Sequence, residues 1–188
     1  LSIPLLRLPN LISLARLVAA PFVAWLLYAG RFREALVWLL AAGLTDWLDG
    51  YAARKLGISD RLGIVLDPMA DKILMVVVFV SLGLLGLIPW WLFVMVVVRD
   101  LVIVTGVLLL RILRNRRKFL PSMMGKVSTF FQIVLALLAV VYAAYSYQWI
   151  DWLKFTGVIL TAIFTLLSGL DYVRQGIEMA RLPALEKS

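Results

Sequence analysis

Two stretches of this chain run far longer without a charge than a water-soluble fold tolerates. Residues 73–98 make 26 uncharged positions in a row and residues 127–150 make 24. Either exceeds the roughly 20 apolar residues that carry an α-helix across a bilayer. Inside hydrocarbon every backbone polar group must be satisfied internally, so spans of this kind are helices packed together. With 188 residues, 63% of them hydrophobic, the chain reads as an all-α integral membrane bundle. No polar linker divides it, so residues 1–188 form a single domain.

Six spans are expected, at about 11–28, 32–55, 61–85, 89–114, 122–147 and 152–179. Pro89 in "GLIPWW" suits a first helical turn, with Trp90 and Trp91 at an interface. "YSYQWIDWLK" reads as an aromatic interface loop. The stretch 1–10 is short, carries two prolines and leads straight into a span, so no cleavable signal peptide is expected. Twelve basic residues fall on the side that holds the N-terminus, Arg54, Lys55, Arg114, Arg116, Arg117 and Lys118 among them. Only Arg31, Arg33 and Lys154 fall on the other. Positive charge marks the cytoplasmic face, so both termini are expected there. The net charge of +8 is then read as contact with anionic lipid, not nucleic acid.

Against this apolar background stands "DWLDGYAARKLGISDRLGIVLDPMAD", residues 46–71. Asp46 and Asp49 are three residues apart and Asp67 and Asp71 four, so each pair shares a helix face. A short connection makes the two spans antiparallel neighbours, and the four carboxylates can converge near the cytoplasmic face. Bare, they would repel and take up protons. Divalent cations relieve that. The chain has no Cys and no His, so any metal is held by oxygen, which favours Mg²⁺, Mn²⁺ or Ca²⁺. Gly43, Gly50, Ala52, Ala53 and Gly63 allow close approach, and Arg54 can fork onto a phosphate. Together they describe a pyrophosphate site without a Walker or G-x-G-x-x-G pattern. The bland alternative is that the acids merely pair with Arg54, Lys55, Arg61 and Lys72. Four matched intramembrane acids weigh against it. A divalent-cation transporter is a further alternative, but it would want acids near the midplane and paired repeats.

The spacing Asp46-x2-Asp49-Gly50-x2-Ala53-Arg54-x8-Gly63-x3-Asp67-x3-Asp71 resembles, at all eight fixed positions, the signature of the CDP-alcohol phosphotransferase family. The likeness extends over the six spans, the entry "PNLISLAR" and the later "GKVSTFFQ". It implies a membrane enzyme, usually a homodimer, that moves a substituted phosphate from a CDP-linked donor to an alcohol and releases CMP. It implies metal ligands at Asp46, Asp49, Asp67 and Asp71, for two Mg²⁺ or Mn²⁺ ions, and a general base at Asp71. It also implies a CDP-binding wall at Asp49, Gly50, Ala53, Arg54 and Gly63. The chemistry agrees, because attack on a pyrophosphate needs its charge neutralised and the leaving CMP stabilised. Nearby cations lower a carboxylate's pKa. Asp71 therefore acts as base only if it contacts the hydroxyl or a metal has acidified that hydroxyl.

The resemblance points to CDP-diacylglycerol as donor and to the glycerol-type branch, with the active site at the cytoplasmic face of a bacterial plasma membrane. The acceptor pocket is expected at the basic stretch 111–126, with Arg111 and Lys126, together with intramembrane Arg99 and Asp100. Asn10 and Arg16, at the start of the first span, are further candidates. Asp100 and Val107 depart from the usual pattern of phosphatidylglycerophosphate synthases. Arg111 and "GKVSTFFQ" look more like cardiolipin synthases. The expected acceptor is thus phosphatidylglycerol, giving cardiolipin, with glycerol 3-phosphate as the alternative.

Overall fold

The computed structural model describes the backbone of residues 8–56, 63–112 and 122–181 and the side chains of 15–45, 72–106 and 122–178. Among these residues there are six α-helices and no strand: α1 Leu8–Tyr28, α2 Phe32–Leu56, α3 Gly63–Leu84, α4 Trp90–Ile112, α5 Met123–Tyr145 and α6 Gln148–Arg181. The expected boundaries differ most at the start of α6. The helix begins at Gln148, so the aromatic loop shrinks to Ser146 and Tyr147, and Trp149 and Trp152 ride on the helix. Pro89 precedes α4 and its carbonyl accepts from Leu92 at 3.1 Å, which makes it a cap and not a first-turn residue.

Three connections close on a residue of positive φ. Gly30 and Gly86 both sit at φ +71°, a conformation that glycine adopts without strain. At Gly30, Arg31 N–H donates to the Leu26 carbonyl at 2.9 Å and Gly30 N–H to Leu27 at 3.1 Å. At Gly86, Leu87 donates to Leu82 at 2.9 Å and Gly86 to Gly83 at 3.1 Å. Both are Schellman caps, which satisfy helix-end carbonyls and turn the chain back. Ser146, φ 53°, closes α5 by donating to Tyr142 at 2.8 Å. These turns lie at one end of the bundle. A cavity wall joins 83–91 to 151–159, and another joins 30–34 to Ala143 and Ala144. Arg33 lies over the Tyr145 ring at 5.2 Å, and Lys154 over Tyr142 at 3.8 Å.

Every third or fourth residue of α1 and α3 points inward. Ala20, Val23 and Leu27 meet Leu74, Val78 and Leu82, the closest packing besides that of α5 on α6. α2 lies against α1 and α5. Among the described residues α2 and α3 do not pack on each other directly; α1 and α5 join them. The outside of the bundle is apolar as well, with Val18, Val37, Leu84, Val104, Phe130 and Leu170 exposed. Among the described residues, α5 and the Gln148–Glu178 part of α6 are long and apolar enough to cross a membrane. Only 33% and 28% of their most apolar windows are buried. Most of their apolar surface is therefore left uncovered within the described residues.

Candidate active site

The acidic residues stand in the helix halves that flank the α2–α3 connection. Asp46 and Asp49 lie in the C-terminal half of α2, with Arg54 and Lys55 in its last turn, where cations complement the helix dipole. Gly63 opens α3, and Asp67 and Asp71 follow within its N-terminal half. The side chains of Asp46, Asp49, Gly50, Ala53, Arg54, Gly63, Asp67 and Asp71 lie outside the described residues, as do those of Asn10 and Arg111. Arg61, Arg114, Arg116, Arg117 and Lys118 lie outside them altogether.

The described side chains build a second site beside these helix halves. Arg99, in the middle of apolar α4, is only 7% exposed, and so is Asp100. A buried guanidinium persists only if its donors are met. Here Nη1 donates to Asp100 Oδ1 at 2.9 Å, and Nε and Nη2 both donate to Ser168 Oγ, at 3.1 and 2.6 Å. Nη2 also leans on the Gly125 carbonyl at 3.5 Å. The Tyr172 ring lies under the guanidinium, 5.5 Å from Cζ to centroid, within cation–π range. Gly125 is small for a reason. A Cβ there would stand 2.8 Å from the Tyr172 hydroxyl and 3.1 Å from Arg99 Nη2. The start of α5 is tied to α6 as well. The Ser122 hydroxyl donates to Asp171, which also accepts from Gln175 at 3.2 Å.

Below this cluster a polar seam joins α5 to α6. Ser128 and Thr165 share a hydrogen bond of 3.2 Å, Gln132 donates to Ser128 at 3.3 Å, and Thr161 donates to the Phe131 carbonyl at 3.2 Å. In an apolar bundle such bonds hold helices in register. Thr161, Thr165, Ser168 and Tyr172 form one stripe of α6. That helical spacing was readable in the sequence, yet α6 was not among the expected site elements.

Two cavities meet here. The first, about 630 Å³, is lined by Lys72, Arg99, Asp100, Lys126 and Tyr172. The second, also about 630 Å³, lies between α2, α3 and α5, with Leu40, Leu74, Met75, Val78 and Ala136 in its wall. Arg16, 4% exposed, faces this apolar cavity and not the one with Arg99. α1 packs along α3, which turns Arg16 away from α4. Arg99, Asp100 and Lys126 thus stand in the wall of one cavity, and Arg16 in the wall of the other. Lys72 pairs with Asp100 of α4.

Residues 6–167 match the CDP-alcohol phosphatidyltransferase family. A CDP-diacylglycerol–glycerol-3-phosphate 3-phosphatidyltransferase of Aquifex aeolicus is 34% identical over 182 residues, 93% of this chain and 98% of that protein. The chain belongs to the CDP-alcohol phosphatidyltransferase family. It is an enzyme of that class, and the transporter alternative falls away. A chloroplastic CDP-diacylglycerol–glycerol-3-phosphate 3-phosphatidyltransferase 1 of Oryza sativa is 35% identical over 147 residues, 69% of this chain and 45% of that protein. A cardiolipin synthase (CMP-forming)/mitochondrial hydrolase fusion protein of Schizosaccharomyces pombe is 39% identical over 104 residues, 55% of this chain and 18% of that protein. The chain therefore spans less than half of the rice and yeast relatives and nearly all of the bacterial one. CDP-alcohol phosphatidyltransferases generally use divalent metal ions. The residue types of this chain fit such ions, since it has carboxylates and neither His nor Cys, and oxygen ligands suit hard cations.

Proposed function

We propose that this phosphatidyltransferase spans a membrane six times and transfers a phosphatidyl group from CDP-diacylglycerol to a glycerol-type hydroxyl, releasing CMP at the cytoplasmic face. The observation that carries this reading is the meeting of a cationic cavity with an apolar one beside the helix halves that bear the four acids. An anionic headgroup and an acyl chain need such neighbours. The apolar outer surface supports the membrane assignment, as do exposed Trp25, Trp90, Trp149 and Trp152 near the capped end of the bundle.

In this reading Asp46, Asp49, Asp67 and Asp71 hold two Mg²⁺ or Mn²⁺ ions, which would neutralise the donor pyrophosphate and stabilise the leaving CMP. Arg54, with Asp49, Gly50, Ala53 and Gly63, clamps the CDP moiety. Arg99 and Lys126, with Arg111 from the end of α4, hold the acceptor phosphate. The acceptor oxygen attacks the phosphorus that bears diacylglycerol, and its proton passes to Asp71. The bond from that phosphorus to the CMP oxygen breaks, and CMP leaves with the electron pair. The apolar cavity takes acyl chain.

We favour glycerol 3-phosphate as acceptor. Lys72, Arg99 and Lys126 against Asp100 leave the first cavity a surplus of two positive charges, which suits a phosphate monoester of charge about −2. The match along nearly the whole Aquifex aeolicus protein points the same way. Phosphatidylglycerol is the second reading, favoured by Asp100 and Arg111 and by the apolar cavity adjoining the acceptor side. The test is CMP release by the purified protein from CDP-diacylglycerol with Mg²⁺ or Mn²⁺, each acceptor offered separately. Release with glycerol 3-phosphate alone, lost in Asp71→Asn, is expected. Release with phosphatidylglycerol alone would select the second reading, and release with neither would overturn both.

A further inference from the structure

Lys72 adds to the positive charge of the first cavity, but the transfer described above gives its ammonium no contact of its own. It follows Asp71 directly on α3, yet its ammonium pairs across the bundle with Asp100 of α4. The other oxygen of that carboxylate takes Arg99 Nη1 at 2.9 Å. One buried carboxylate thus holds two cations, where one would neutralise it. Uncompensated charge in an apolar bundle is costly and persists where it has a use. The Lys72 side chain is 40% exposed, so the ammonium is aimed by Asp100 without being enclosed by it. An ammonium carries three donors, and Asp100 engages one of its faces.

Its position is unusual too. Among the described residues only Lys72, Thr129 and Ile133 stand in the walls of both the cationic and the apolar cavity, and Lys72 alone of these is charged. Its ammonium is thus within the wall that a headgroup in one cavity and an acyl chain in the other would share.

We propose that Lys72, held by Asp100, is a substrate-binding residue whose ammonium takes a phosphate oxygen where the two cavities meet. Asp100 is its positioning residue, tying it to Arg99. The phosphate is that of the acceptor or the one being transferred, and both supply the same anionic oxygen. The inference rests on the phosphatidyl-transfer reading.

The experiment measures kcat and the KM of each substrate for wild type, Lys72→Met, Lys72→Gln, Lys72→Arg and Asp100→Asn. Loss of a charge-assisted hydrogen bond should raise one KM about tenfold or more in the Met and Gln variants. A rise in the acceptor KM assigns the acceptor phosphate; a rise in the CDP-diacylglycerol KM assigns the transferred one. Lys72→Arg should recover most of the loss. Asp100→Asn should shift the same KM, and less, because the ammonium remains. Should the Met and Gln variants fail to fold, the Arg and Asp100→Asn KM values decide. A wild type that is active beside variants with both KM values within twofold overturns the proposal. So does a fall in kcat alone that Arg does not restore, which marks a structural lysine. A wild type inactive with every acceptor overturns the transfer reading, and this inference with it.

Discussion

Ser168→Ala removes a single oxygen from a fully buried residue of α6 and tests how Arg99 is held. Ser168 Oγ is the acceptor for both Nε at 3.1 Å and Nη2 at 2.6 Å. A hydrogen bond to a charged group contributes about 1.5–3 kcal/mol. The two donors share one oxygen, and Nη2 can shift toward the Gly125 carbonyl. The expected loss is therefore that of about one bond, or about 2 kcal/mol. For a chain of this length it lowers the melting temperature by about 4–8 °C. Arg99 keeps its ion pair with Asp100 but loses its fixed tilt, so the acceptor KM should rise about tenfold, equivalent to about 1.4 kcal/mol. The KM of CDP-diacylglycerol should not move. Tryptophan fluorescence in detergent reads the melt, and CMP release reads the kinetics. Ser81→Ala is the control. Its hydroxyl is also buried but donates only to the Val77 carbonyl of its own helix at 2.8 Å, so its removal should cost under about 1 kcal/mol. A Ser168→Ala protein that melts with the wild type and keeps its acceptor KM would refute the reasoning. Asp100, the Gly125 carbonyl and the Tyr172 ring would then suffice to hold Arg99.

Gly125→Ala should lower stability by about 1–3 kcal/mol and raise the acceptor KM, because the new methyl displaces the Tyr172 hydroxyl and Arg99 Nη2 together. An unchanged melt and KM would show that Tyr172 swings aside freely. Chelation should abolish CMP release, with recovery on adding Mg²⁺ or Mn²⁺. Asp46→Asn and Asp67→Asn should need a higher concentration of either ion for half-maximal activity, and an unchanged requirement would remove those residues from the metal site.

The helices were legible because their signals are local. Uncharged runs fix the spans, and Gly30 and Gly86 mark turns that need a left-handed residue. The error at "YSYQWIDWLK" has a physical cause. Aromatic residues were read as an interface loop, but they serve equally well on a helix that surfaces there, where Tyr145 and Tyr147 stack at 6.1 Å and Tyr147 and Trp149 at 6.4 Å. Spacing also singled out the acids, since four carboxylates at helical spacing in apolar stretches have few uses.

By itself, then, the sequence determined six helices, the family, and the residue types that a divalent-cation and phosphate chemistry requires. Hydrophobic length, turn residues and motif spacing all act over short stretches of chain. Only the tertiary structure decided which side chains share a site. Arg99 meets Ser168 across 69 residues of sequence, Lys72 meets Asp100 across a helix interface, and Arg16 faces the apolar cavity. Those choices depend on which face each helix turns to its neighbour, and the packing of all six sets that at once.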